Sequence, residues 1–248
     1  MQNDLCADYA YFEASGIEAL KKVNKAVPVR QGFLRLYRGE FSKEDLLQKT
    51  NEGLRSAALR LLGMEKLSAC AMEMGINLQQ SNMEAIAEFH QKGIYYKFWD
   101  SSGSHAFVLT PFVSLTFDME VALRASASAL ETKEGMESGL YVCENGDFTP
   151  EFYTYFDKEI QKGRLPRVYI VDIPNEKVTV LQKVKETKLE GLGNQIVVNT
   201  LNQYAERELI AISIDRKYVK GAISFSGNPY RPKESDSWKV LIRETGQK

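Results

Sequence analysis

Four short apolar runs crowd the last third of the chain: PRVYIVDIP (166–174), ELIAISI (208–214), VKGAISF (219–225) and WKVLIRE (238–244). Each has strand length and is rich in β-branched or aromatic residues. Runs this short cannot persist alone, so they must pair into a sheet with a buried face. Three more strand patterns precede or separate them. HAFVLTPFVSLTF (105–117) is split by Pro111, which cannot donate to a ladder. GLYVCE (139–144) and KVTVLQKV (177–184) complete the set.

The first half is patterned differently. IEALKKVNKAV (17–27), EKLSACAMEMGI (65–76) and NMEAIAEFHQKG (82–93) carry apolar residues at helical spacing. FSKEDLLQKTNEGLRSAALRLLGM (41–64) is expected to form one helix, opened by Ser42 and Asp45 at capping-box spacing, with Gly63 near its end. GFLRLYRGEF (32–41) is the one early strand expected. Two later helices are expected, DMEVALRASASALE (118–131) capped by Asp118 and TPEFYTYFDKEIQKG (149–163) with Pro150 in its first turn. Helices first and strands later predict an α+β fold with a mixed or antiparallel sheet, in a single domain over 1–248 that is helix-rich to 98 and strand-rich from 99. The regular alternation of a doubly wound fold, a GxGxxG loop and a P-loop do not occur.

With 248 residues, 44% of them hydrophobic and 26% charged, the chain has enough apolar material for a sizeable core. A net charge of −1 gives no broad basic footprint for nucleic acid. Cys6, Cys70 and Cys143 lie far apart, and His90 and His105 add no zinc spacing to them, so reduced thiols and no metal are expected. The first twenty residues lack the apolar core of a secretory signal, and no stretch has the length of a membrane span. Folding in a cytosol is expected, which leaves room for export by a signal-peptide-independent route.

Three short patterns carry candidate chemistry. In LYRGE, Arg38 ends an apolar run, where a guanidinium fork suits phosphate or carboxylate, and Gly39 would let a ligand come close. In PFVSLTFD, Ser114 and Thr116 are two apart, so their hydroxyls share a strand face. In YAERELIAISI, Glu206 and Glu208 are also two apart, and both carboxylates leave one side of a strand entrance. Taken singly, each has an ordinary explanation: an exposed arginine, the strand preference of threonine, and charges that protect a sheet edge.

In this order the three patterns resemble those of the mono-ADP-ribosyltransferase toxins and ectoenzymes of the arginine–serine–glutamate class. The matching positions are Tyr37-Arg38-Gly39, Ser114-Leu115-Thr116 and Glu206-Arg207-Glu208. The resemblance implies a split mixed or antiparallel β-sheet core behind an N-terminal helical part. It implies NAD as co-substrate, with no metal, and a protein acceptor that a bacterial toxin or effector would find in a host. Arg38 would clamp the NAD phosphates, and Glu208 would hold the ribose 2′-hydroxyl and stabilise the oxocarbenium-like centre. Ser114 would orient Glu208, Thr116 would shape the same strand, and Glu206 would steer the acceptor proton. Phe117 or Phe112 would stack on nicotinamide. Tyr204 would meet the acceptor from a mobile loop, GLGNQIVVNTLNQ (191–203). The same residues serve an NAD glycohydrolase, a nucleic-acid ADP-ribosyltransferase or a non-catalytic NAD-binding module, and these alternatives stay open. The segment 144–166 matches nothing in the family pattern.

Overall fold

The computed structural model describes residues 9–14, 27–43, 45–78, 83–101, 103–128, 150–175, 178–179, 196–198, 209–229, 233 and 236–243. Within them the fold is mixed α and β with mostly antiparallel sheets. The larger sheet has five strands: β1 (Tyr9–Ala14), β2 (Phe33–Ser42), β7 (Leu165–Pro174), β12 (Val219–Phe225) and β13 (Trp238–Arg243), in the order β1-β13-β12-β7-β2. The second sheet has four: β6 (Val113–Leu115), β8 (Val178–Thr179), β9 (Ile196–Val198) and β10 (Leu209–Ala211), in the order β6-β10-β9-β8. Strand β3 (Leu54–Arg55) pairs with β11 (Ser213–Ile214), and β4 (Ile94–Asp100) forms a hairpin with β5 (Gly103–Leu109). The helices are α1 (Leu46–Glu52), α2 (Ala57–Glu73), α3 (Met83–Lys92), α4 (Met119–Ser128) and α5 (Pro150–Gln161).

Strand alternation sorts these side chains into layers. From the large sheet, Leu36, Tyr169, Val171, Ala222 and Leu241 turn inward and meet Val113, Leu115, Leu209 and Ala211 of the small sheet. The opposite face of the large sheet, with Tyr37, Val168, Ile170, Ile223, Phe225 and Val240, packs on Ala122 and Leu123 of α4. Ile210, Ile212 and Phe112 behind the small sheet meet Leu67 and Ala71 of α2 and Ile86 and Phe89 of α3. The two sheets are stitched at one point, where Tyr37 and Thr116 exchange both backbone hydrogen bonds at 2.8 Å.

Several expectations change. The single helix over 41–64 is broken at Gly53, which has φ +82°, and a Cβ there would lie 2.4 Å from the Ile214 carbonyl oxygen. Asp45 caps α1 by accepting from Gln48 N (2.7 Å), and Ser56 caps α2 by accepting from Leu59 N (3.0 Å), so two caps replace one. Gly63, at φ +75°, is a kink between two helical stretches of α2, so it does close the first of them as its sequence suggests. Ile196–Val198 is a strand between β8 and β10, not part of a loop. YAYFEA is an edge strand with no counterpart among the expected elements. The expected strand over 139–144 and most of the helix over 17–27 fall outside the described residues.

Candidate active site

The candidate site lies at the end of β2 where the inter-sheet face turns from apolar to charged. Leu36, Arg38 and Glu40 alternate onto that face of β2, so the row that begins as core ends in charge. Across the ladder Arg38 stands opposite Tyr169, and Glu40 opposite Arg167. Arg38 is half-buried. Its Nη1 donates to the Ser114 carbonyl at 3.3 Å and its Nε to Glu40 Oε2 at 3.4 Å. The arginine expected in one motif and the serine expected in another are therefore neighbours.

Helix α1 supplies the other side. Leu46 buries toward the core and Lys49, one turn later on the same face, is buried with it. Its ammonium donates to Glu40 Oε1. Burial by itself would raise the Glu40 pKa. The Arg38 and Lys49 charges, the Lys49 hydrogen bond and the Arg60 charge outweigh burial and lower it to about 2. Lys49 also lines a cleft of about 390 Å³ with Asp45, Gln48, Glu52, Gly53, Arg55 and Arg60.

Ser114 is half-buried, and its Oγ shares a 3.0 Å hydrogen bond with His90 Nε2 from α3. His90 was not among the residues expected here. Its signal is its place in NMEAIAEFHQKG, four residues after the buried Ile86 and next to the buried Phe89, on a helix otherwise polar at that end. Thr116 is buried, and its Oγ1 accepts from Asp118 N at 3.1 Å, which shapes the turn into α4. Phe117 is half-buried against the inter-sheet core. Phe112 is core, edge-on to Phe89 at 5.9 Å, and is not free to stack on a ligand.

Gly39 needs a different explanation from the one its motif suggests. It points away from Arg38, toward α4, where a Cβ would lie 1.9 Å from the Ala122 carbonyl oxygen and 2.5 Å from Ser126 N. The glycine admits a helix at this face of the sheet, not a ligand. Tyr204, Glu206 and Glu208 lie outside the described residues, as do Gly191 and Gly193. Strand β10 starts at the next residue, Leu209, which stands opposite Leu115 of the Ser114 strand.

Among the described residues no three or more His, Cys, Asp or Glu side chains converge as metal ligands, and no helix is long and apolar enough to cross a membrane. No family model, curated protein or solved structure matches the chain.

Proposed function

We propose that the chain is an NAD-dependent mono-ADP-ribosyltransferase that modifies a protein, in the manner of a toxin or effector. One observation carries this: three segments far apart in sequence meet on touching strands. β2 brings Arg38, β6 brings Ser114, and β10 begins at Leu209, the residue bonded to Glu208. Arg38 adds a phosphate-directed fork beside the Ser114 strand.

In this proposal NAD is consumed. The nicotinamide–ribose bond breaks, nicotinamide leaves with the bonding pair, and an acceptor side chain attacks the ribose carbon. Glu208 offers a fixed negative charge where positive charge develops, an interaction strongest in the transition state. Glu206 takes the proton that the acceptor loses. Arg38 holds the diphosphate.

The test is incubation of the purified protein with labelled NAD and a eukaryotic lysate, beside Glu208→Ala and Glu206→Gln. A discrete labelled band is expected with wild type, with a loss of roughly 10²-fold or more in Glu208→Ala. Glu206→Gln is expected to lose transfer while keeping nicotinamide release. Release without any labelled protein would move the assignment to a glycohydrolase, and full activity in Glu208→Ala would sink it.

A further inference from the structure

Arg167 is 5% exposed, and its Nε and Nη1 are buried without a hydrogen-bond partner. A buried guanidinium costs several kcal/mol unless something pairs with it. The residue opposite in the ladder, Glu40, is occupied by Lys49 and Arg38, and no described carboxylate forms an ion pair with Arg167. Two residues along β7 on the same face, the Tyr169 hydroxyl is buried and lies within reach of Arg167, with a geometry that falls short of a full hydrogen bond. Burial, then the Glu40 charge, push the Tyr169 pKa up, so the phenol stays protonated and able to donate.

The geometry points to a binding site for a phosphate-type oxyanion formed by Arg167 and Tyr169, with Lys49 and Arg38 beside them. The surroundings favour a dianion over a carboxylate: the charges of Arg38, Lys49 and Arg60 all act on one carboxylate, Glu40, and Arg167 stands opposite it in the ladder, so cations outnumber that acid. Phosphate near neutral pH carries between one and two negative charges and several acceptor oxygens. Lys49 belongs both to this cluster and to the 390 Å³ cleft, which Arg55 and Arg60 line together with Asp45 and Glu52. The inference stands on Arg167 and does not use the transferase assignment.

The test measures thermal unfolding of the whole chain in phosphate-free buffer and with added inorganic phosphate, for wild type, Arg167→Met, Tyr169→Phe and Arg38→Met. Wild type is expected to gain roughly 3–5 °C at about a tenfold excess of phosphate over its dissociation constant. Arg167→Met is expected to lose that gain while melting at or above wild type in plain buffer. Tyr169→Phe, which removes only a hydroxyl, is expected to reduce the gain and serves as the deciding variant if Arg167→Met does not fold. An unchanged gain in both variants, a gain that follows Arg38 alone, or no gain in wild type overturns the site. NAD takes no part in the measurement, so failure of the transferase assay leaves this outcome intact, and the converse holds.

Discussion

The β2–β7 ladder carries charge at both ends and treats it in opposite ways. At one end Arg35 stands opposite Asp172 and donates to both carboxylate oxygens, at 2.7 and 2.8 Å, with a further bond to the Val27 carbonyl. Both side chains are almost wholly buried and every charge there is answered. At the other end Glu40 faces Arg167 in the same register, yet Glu40 turns to Lys49 and Arg38, and among the described residues the Arg167 guanidinium has no acid partner. Equal ingredients in one ladder thus give a closed structural clamp and an electrically unbalanced mouth. Stability alone rewards the first arrangement. The second is the kind retained where a ligand is to be met.

The clamp end should be the easier to break. Asp172→Ala leaves Arg35 buried and unpaired, for an expected loss of about 3–5 kcal/mol in urea unfolding. A loss below about 1 kcal/mol would mean the clamp is no more than a surface pair. The mouth should reveal itself through acid. The Glu40 pKa is lowered from 4.5 to about 2, so its charge adds stability on the order of 3 kcal/mol that is present in full above the unfolded value of 4.5. That contribution is lost as pH falls from 4.5 toward 2. Glu40→Gln should flatten stability across that window, and an unchanged acid slope would detach Glu40 from its cations.

Gly39→Ala tests the wall behind the mouth. Its methyl would strike the Ala122 carbonyl of α4, for an expected cost of about 1–3 kcal/mol without a direct effect on Arg38. The smallest effect, with opposite sign, belongs to Arg167→Met. If that variant instead falls as far as Asp172→Ala, the two ends are alike and the contrast fails.

Much of this was visible in the residues, and the misses have physical causes. β2, β7, β12 and β13 are apolar runs whose period and length are local properties, and they fold where their patterns predict. The break at Gly53 was not visible, because what forbids a side chain there is the Ile214 carbonyl, distant in sequence. Ile196–Val198 looked like part of a glycine-led loop and is a strand because β8 and β10 flank it. Arg38 and Ser114 were singled out in separate motifs, though not as neighbours. His90, Lys49 and Arg167 were not singled out for the site, since each gains its meaning from a partner across the fold.

The edge pairing of the large sheet has a consequence for synthesis. Tyr9 is in register with Arg243, and Ala14 with Trp238. A ribosome must release Trp238–Arg243 before Tyr9–Ala14 has this strand to join, so Tyr9–Ala14 waits through the synthesis of everything between them. Contacts this distant in sequence slow folding and leave an unsatisfied edge exposed meanwhile.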